Sequence, residues 1–374
     1  MDVEERLRLI KRYPTEEILT EEELRQYLEV GEPLKHYIGF EISGYVHIGT
    51  GIVSMLKVVD VQKAGVKATI LLADIHSWLN DKLGGDLETI KKVAVTYFKE
   101  TLRKSIEVLG GDPDSVDFIL ASKMFEEKGD YWYQVLDLAR QVTLSDVRHS
   151  LTIMGRTFTN SAKMAWLIYP LMQVVDVYAL GTHIAHGGID QRKVYVLARE
   201  VYDKIRLMPL KLGGRPIKPI ILLHHLIPAL TYTGKESKLD LSEAKMSKSR
   251  PETAIFLHDP PDEVRRKVLN AYCPPKVIEG NPVIELARLF AFRDVRKEPF
   301  KVSRPSEYGG GVLEYWSFEE LVKDYREGKV HPLDLKNAVA DEAIRALKPF
   351  WDWFSSGYGA KLLGEMSNII KITR

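Results

Sequence analysis

The chain has 374 residues, enough for about two domains of roughly 150 residues each. Its composition, 45% hydrophobic and 28% charged, is that of an ordinary globular protein, without the run of about 18 apolar residues that a transmembrane helix needs and without the apolar core of a signal peptide at its start. The single cysteine excludes an internal disulfide, and a net charge of +1 means that any RNA surface would have to be a local cluster of cations. These features favour a cytoplasmic protein and leave its function open.

The first part of the chain predicts a parallel sheet. Thr20 and Glu23 form a capping-box pattern at the start of a helix. Apolar runs at residues 36–40 and 66–74 predict buried strands, and residues 50–64 between them have helical spacing. Strand, helix and strand in this order form a βαβ unit, which implies parallel strands.

The same alternation continues to about residue 258. A long helix is predicted from Asp86 to Gly110, and residues 117–122 and 218–225 read as further strands. The remainder predicts mostly helices, with a second capping box at Ser317 and Glu320. We therefore expect an open α/β domain followed by a helical one.

A glycine-bearing turn, Gly39–Gly51, follows the first strand of the βαβ unit and carries His47 directly before a helix. A P-loop would need Lys and Ser or Thr where Tyr45 and Val46 stand, so a Walker-type ATPase is disfavoured. Backbone N–H groups at a helix start suit an anion, and His47 could donate to a phosphate. Taken alone, a turn with a buried structural histidine explains this segment equally well.

The segment Lys245-Met246-Ser247-Lys248-Ser249 follows the last predicted strand, and alone it could be a solvated loop. Together with the first turn it resembles the paired HIGH and KMSKS signatures of class I aminoacyl-tRNA synthetases. The second signature matches fully, whereas Thr50 replaces the second histidine of the first and can still donate one hydrogen bond. The resemblance implies catalytic roles for His47, Thr50, Lys245 and Lys248, and an ATP site formed by Gly39, His47, Gly49, Gly188, Asp190, Lys245, Met246, Ser247, Lys248 and Ser249.

An apolar segment at residues 166–180 carries polar side chains at helical spacing. Tyr169, Gln173 and Asp176 stand at i, i+4 and i+7, so they share one helix face, and Pro170 predicts that this helix begins near Tyr169. Burying an aspartate is costly unless something donates to it. The face therefore either meets solvent or lines a pocket for a ligand that carries donors.

This helix, the turn Gly187–Gln191 and the segment at residues 36–41 together resemble tyrosyl-tRNA synthetases of the archaeal and eukaryotic type. The resemblance implies that Tyr37 and Asp176 bind a phenol hydroxyl. Chemistry alone would equally allow an indole N–H, so the residues themselves do not separate tyrosine from tryptophan. The amino-acid end would be held by Tyr169, Gln173 and Gln191, and the ATP ribose by Asp190.

Two segments near the end resemble the anticodon-binding region of the same enzymes. Asp334, in the string that starts at His331, would bind the first anticodon base, guanine, and Tyr308 would stack on it. Taken alone, an aromatic residue beside a glycine turn and an acid at a helix start need no such role. Further RNA-binding candidates are His331, Arg192 and Lys193.

The resemblance implies an α/β fold with a Rossmann-type parallel-sheet catalytic domain at residues 1–258 and an α-helical anticodon-binding domain at residues 259–374. It also implies that L-tyrosine reacts with ATP, with Mg²⁺ present, and then with tRNA(Tyr), in a homodimer without membrane attachment. Three alternatives stay open: a tryptophanyl-tRNA synthetase, a nucleotidyltransferase acting on a small acceptor, and an RNA-binding paralogue without catalysis.

Overall fold

A computed structural model of the chain describes residues 1–150, 163–232, 246 and 250–373, apart from the side chains of residues 149, 150, 308, 372 and 373. The chain forms two compact units: residues 1–44, 54–225 and 362–374 form the first, and residues 45–53 and 226–361 form the second. The predicted domain boundary after residue 258 stays a prediction.

The first unit contains a six-stranded sheet and helices on both of its faces. Five neighbouring strands are parallel, and the first strand pairs antiparallel at one edge, in the order β1-β8-β5-β2-β3-β4. The strands are β1 (Thr15–Leu19), β2 (Lys35–Phe40), β3 (Lys67–Leu72), β4 (Asp117–Leu120), β5 (Ile184–Gly188), β6 (Lys211–Leu212), β7 (Arg215–Pro216) and β8 (Ile220–His224), of which β6 and β7 form a separate hairpin. The helices are α1 (Val3–Lys11), α2 (Glu21–Glu29), α3 (Met55–Lys63), α4 (Asp74–Leu79), α5 (Leu87–Val93), α6 (Lys99–Val108), α7 (Ala121–Glu127), α8 (Tyr131–Ala139), α9 (Leu144–Ser150), α10 (Met164–Ala179) and α11 (Arg192–Glu200).

The four strands predicted from apolar runs are all present, but β1 and β5 were not predicted. β5 ends in the glycine pair that reads as a turn in the sequence. A β-carbon on Gly187 would lie 2.7 Å from the Tyr195 ring, so the glycine admits a helix close to the sheet rather than turning the chain.

Two details of the predicted helices were wrong. Helix α10 begins at Met164 and contains Pro170, since packing of its long apolar face outweighs the hydrogen bond that proline removes. Thr20 stands at the start of α2 without a side-chain cap bond. Glu23 accepts instead from Arg199 at 2.7 Å, a contact far away in sequence.

Alternation along the strands separates two apolar layers. Leu222 packs with α1, α2 and α3, and its neighbour Leu223 packs with α8, α10 and α11. On β2, Tyr37 belongs to the second layer. Tyr37 therefore lies on the same side of the sheet as α10.

The second unit is mostly helical, as the sequence after residue 258 predicts, with one additional hairpin. Its capping box at Ser317 and Glu320 is confirmed by both reciprocal bonds, and Gly328 ends that helix in the left-handed conformation. No helix in the described ranges is both long and apolar enough to cross a membrane. The elements are α12 (Pro261–Asn270), α13 (Pro282–Ala291), β9 (Phe300–Ser303), β10 (Val312–Tyr315), α14 (Phe318–Glu327) and α15 (Pro332–Ser355), followed by α16 (Gly357–Thr373), whose last residues belong to the first unit.

Candidate active site

A buried carboxylate is the centre of a polar pocket in the first unit. Asp176, on α10, is 1% exposed, and its Oδ1 accepts a hydrogen bond of 2.7 Å from the hydroxyl of Tyr131. Its Oδ2 lies 3.1 Å from Nε2 of His76, although the ring is not aligned for a hydrogen bond. The carboxylate therefore has a donor on one oxygen and an imidazole beside the other.

Two buried tyrosines continue the pocket along the sheet. Tyr37, on β2, hydrogen-bonds to Tyr195, on α11, and burial raises the pKa of Tyr37 well above its ordinary value. Burial also raises the pKa of Tyr195 to about 12, and its hydroxyl donates to the carbonyl of His186 at 3.0 Å. Both side chains are neutral hydroxyls at neutral pH, so each can donate or accept.

Gln173 lies one turn before Asp176 on the same face of α10. Its Nε2 donates to Oε1 of Gln191 at 3.1 Å, and it also hydrogen-bonds to Tyr195. Its Oε1 is buried and has no hydrogen-bond partner within the described part of the chain. This oxygen is an acceptor suited to an ammonium group.

Tyr169, the third residue of the predicted face, is 7% exposed and hydrogen-bonds to Glu41. Asn80 donates to the same carboxylate at 2.7 Å, and Nζ of Lys82 lies 3.2 Å from it. Burial raises the pKa of Tyr169 well above its ordinary value. The structure therefore brings together all five side chains that the sequence assigned to the amino acid: Tyr37, Tyr169, Gln173, Asp176 and Gln191.

Sequence reasoning missed four polar residues of this pocket: Glu41, His76, Tyr131 and Tyr195. In that order they lie in the loop after β2, on α4, on α8 and on α11, so no local spacing relates them to α10. One signal was available for His76, because it closely follows a buried strand of a parallel sheet, where ligands bind.

The part of the predicted phosphate-binding turn that carries His47, residues 45–51, lies in the second unit. The N–H of Gly49 donates to Nδ1 of His47 at 3.0 Å, so the neutral ring carries its proton on Nε2. A β-carbon on Gly49 would lie 2.8 Å from this ring. The N–H of Thr50 donates to the carbonyl of His47, and a bridge to Phe256 holds the turn. The local backbone therefore fixes which nitrogen of His47 donates.

The other predicted nucleotide-binding residues are spread along the chain. Gly39 lies on β2 beside the Tyr37 ring, Gly188 ends β5, and Asp190 lies in the single helical turn that follows. Met246 is buried. Four residues of the lysine segment lie outside the described residues: Lys245, Ser247, Lys248 and Ser249.

The predicted RNA-binding residues already have protein partners or are exposed. Arg192 binds Glu17 through two hydrogen bonds, of 2.7 and 3.0 Å, and Lys193 is exposed. Oδ2 of Asp334 accepts from Nε of Arg304 at 3.1 Å. The remaining two are His331, whose side chain caps the start of α15, and Tyr308, whose side chain lies outside the described residues.

A second buried polar cluster crosses the sheet at β2, β5 and β8, and we call His36, His186 and His224 the histidine row. Nε2 of His36 lies 2.9 Å from Nδ1 of His186, whose Nε2 lies 2.8 Å from Nδ1 of His224. Burial lowers the pKa of His36 to about 3 and that of His224 to about 4, and it lowers that of His186 well below its ordinary value. The row is therefore a neutral, hydrogen-bonded chain at physiological pH.

Comparison with known proteins identifies the family. Residues 29–348 match the profile of the family described as tRNA synthetases class I (W and Y). A tyrosine–tRNA ligase from Pyrobaculum aerophilum is 58% identical over 375 residues, and one from Thermococcus kodakarensis is 51% identical over 381, each with 100% of both chains covered. The solved tyrosyl-tRNA synthetase of Pyrococcus horikoshii, complexed with L-tyrosine, matches with a TM-score of 0.91 and 49% identity over 98% of this chain and 100% of that one. The chain belongs to the tyrosyl-tRNA synthetases.

Membership of the tyrosyl-tRNA synthetases confirms the predicted fold class and the predicted class I chemistry, in which ATP is a substrate. It also decides between tyrosine and tryptophan, which the chemistry of the pocket left open. The carboxylate of Asp176 and the hydroxyl of Tyr37 can each bond an indole as well as a phenol. The assignment of tyrosine rather than tryptophan therefore rests on similarity over the whole chain.

Proposed function

We propose that this chain activates L-tyrosine with ATP to tyrosyl-adenylate and then transfers the tyrosyl group to tRNA(Tyr). The observation that carries the proposal is the buried carboxylate of Asp176 on a largely apolar helix. A buried carboxylate of this kind binds a ligand hydroxyl strongly, because a ligand without the hydroxyl leaves part of its hydrogen-bonding capacity unfilled. The phenol of tyrosine donates a hydrogen bond to Asp176 and forms a second hydrogen bond with the hydroxyl of Tyr37.

The amino-acid end of tyrosine binds at the other end of the pocket. Its ammonium group donates to the buried Oε1 of Gln173, which has no protein partner among the described residues. Gln191, bonded to Gln173, and Tyr169 complete this end. Discrimination against phenylalanine of about 10⁵-fold, the value known for tyrosyl-tRNA synthetases themselves, rests on the unpaired groups that phenylalanine leaves behind.

Adenylate formation needs no covalent enzyme intermediate. The tyrosine carboxylate attacks the α-phosphate of ATP, which enters as its magnesium complex, and pyrophosphate leaves. Charge on the phosphates is stabilised by His47 through Nε2–H, by Thr50, and by Lys245 and Lys248. Loss of one such donor removes about 3 kcal/mol of transition-state stabilisation.

The remaining nucleotide contacts follow from the family signatures. Asp190 binds the ATP ribose, since a carboxylate accepts from both ribose hydroxyls. The backbone or side chains that line the nucleotide are those of Gly39, Gly49, Gly188, Met246, Ser247 and Ser249.

The anticodon contacts lie in a C-terminal anticodon-binding domain, residues 259–374, distinct from the catalytic domain at residues 1–258. Asp334 accepts from the edge of guanine and Tyr308 stacks on it, because single-stranded bases are read in this way. His331 adds a third contact in this domain. Arg192 and Lys193 contact the acceptor end of the tRNA as cations.

The chain acts as a homodimer. Large apolar side chains are exposed on α8 and α10, which pack against each other: Tyr133 is 68% exposed, Leu136 63% and Met164 70%, and Trp132 and Ile168 are also exposed. Exposed apolar side chains on two adjacent helices suit an interface with a second copy of the chain. The reaction takes place in the cytoplasm, where translation consumes its product.

ATP–pyrophosphate exchange with purified protein tests the first step, with tyrosine, tryptophan and phenylalanine supplied separately. Exchange with tyrosine alone supports the proposal, and exchange with tryptophan in place of tyrosine overturns the assignment of Asp176 to a phenol hydroxyl. No exchange with any of the three leaves the RNA-binding paralogue as the explanation. Charging of tRNA(Tyr) with labelled tyrosine then tests the second step.

A further inference from the structure

His76 is a buried side chain for which the proposed reaction has no use. It lies on α4, is 2% exposed, and its ring packs edge-on against Tyr169, with 4.9 Å between ring centroids. Neither ring nitrogen has a hydrogen-bond partner within the described ranges. A buried imidazole with both nitrogens unsatisfied costs free energy, so its position calls for a reason.

The neighbour of His76 supplies that reason. Nε2 of His76 lies 3.1 Å from Oδ2 of Asp176, the oxygen opposite the one that Tyr131 occupies. A buried carboxylate needs several donors, and the Tyr131 hydroxyl supplies one. A rotation of the ring would turn Nε2–H onto Oδ2, which already lies within hydrogen-bond distance.

We propose that His76 is a positioning residue that sets the preference for tyrosine over phenylalanine by donating through Nε2 to Oδ2 of Asp176. This inference rests on the proposed function, because it concerns the carboxylate that binds the phenol. With Tyr131 on one oxygen and His76 on the other, the carboxylate is fixed in orientation. Its remaining lone pairs then face the hydroxyl of the substrate.

The mechanism predicts an effect on selectivity rather than on general activity. Without His76 the carboxylate rotates toward other donors, and the phenol loses part of its acceptor. Phenylalanine never uses that acceptor, so its activation is insensitive to the change. The ratio of kcat/KM for tyrosine to kcat/KM for phenylalanine therefore reports on His76. The value for phenylalanine alone reports on the integrity of the rest of the site.

Two amide variants test which ring nitrogen acts. His76→Gln places its amide nitrogen near the position of Nε2, whereas His76→Asn places one near Nδ1, and both are neutral and polar. His76→Leu removes both nitrogens. In tyrosine-dependent ATP–pyrophosphate exchange we expect His76→Leu and His76→Asn to raise KM for tyrosine about ten- to a hundredfold, with kcat changed only a few-fold. His76→Gln should stay close to the unsubstituted enzyme.

Phenylalanine-dependent exchange at high substrate concentration is the internal control, and kcat/KM for phenylalanine should be the same in all three variants. Equal KM values for tyrosine in the Gln and Asn variants overturn the inference, and so does an unchanged ratio of tyrosine to phenylalanine in His76→Leu. If His76→Leu fails to fold, the Gln and Asn pair still decides. Failure of the proposed function is distinct, because the unsubstituted enzyme would then show no exchange with tyrosine.

Discussion

Acidification tests the histidine row, because its members are neutral when folded and take up protons when unfolded. The folded pKa is about 3 for His36 and about 4 for His224, against an ordinary value of 6.5. Since the folded values are lowered, stability is complete above pH 6.5 and falls as pH decreases, until the folded groups also titrate. Each histidine removes about 1.4 kcal/mol per pH unit in that window, so the two together remove about 4 kcal/mol by pH 5.

Urea unfolding followed by circular dichroism at pH 7, 6 and 5 measures this loss, and one variant isolates one histidine. His36→Leu costs about 1–3 kcal/mol at pH 7, because His186 loses its partner. That cost should shrink by about 2 kcal/mol at pH 5, because the variant lacks one of the buried histidines whose protonation in the unfolded chain destabilises the fold. Ile38→Val, on the same strand, is a matched control whose cost of about 1 kcal/mol should not change with pH.

The reasoning is refuted if the free energy of unfolding is the same at pH 7 and pH 5. It is also refuted if the cost of His36→Leu is as independent of pH as that of Ile38→Val. Either result would mean that the row takes up protons in the folded state, with the imidazoles reached by water.

Three further predictions follow from individual contacts in the structure. Gly49→Ala should displace the ring of His47, because its β-carbon would lie 2.8 Å away, and should slow ATP–pyrophosphate exchange by about 10²–10³-fold. Asp334→Asn should lower kcat/KM for tRNA(Tyr) about ten- to a hundredfold in charging assays while leaving exchange unchanged. Lys57→Met should lower the free energy of unfolding by about 3–5 kcal/mol in urea titrations, because it leaves Asp60 as a buried charge without the ammonium group 3.0 Å away.

Each of these has a result that contradicts it. Gly129→Ala, where a β-carbon meets nothing within 4 Å, should be silent, and equal rates for the two alanine variants would reject the steric argument at Gly49. A loss of exchange in Asp334→Asn would place that residue's effect in the catalytic step. A Lys57→Met variant as stable as the original would mean that Asp60 finds a sufficient partner in Arg12, 2.5 Å away.

Local patterns predicted a large part of this molecule because their causes are local. The apolar runs of four of the five parallel strands and the polar stripe of α10 are visible in the sequence, since a strand or a helix face repeats at a fixed spacing. Ser317 and Glu320 form their box from neighbouring residues, so it too could be predicted. These features give the fold class and the predicted substrate-binding face.

The remainder depends on contacts between distant segments. Tyr131 and His76 reach Asp176 from helices whose packing no spacing rule gives. The Gly187–Gly188 pair predicts a turn, but in the structure it ends a strand. The absence of a side chain at Gly187 allows the ring of Tyr195 to pack close to the sheet. The class of amino acid was likewise decided by whole-chain similarity, since hydrogen-bond chemistry at one carboxylate fits more than one ligand.

The pair formed by Arg304 and Asp334 has a consequence for how an anticodon would be read. The carboxylate is already occupied by a guanidinium group, so a base must compete with a resident partner rather than fill an open acceptor. Guanine presents two adjacent donors, as arginine does, and can replace it without leaving the carboxylate bare. A base with fewer donors would displace Arg304 but form fewer hydrogen bonds to the carboxylate. If Asp334 binds the anticodon as proposed, Arg304 would hold the carboxylate until guanine replaces it, and a base with fewer donors would replace it less readily.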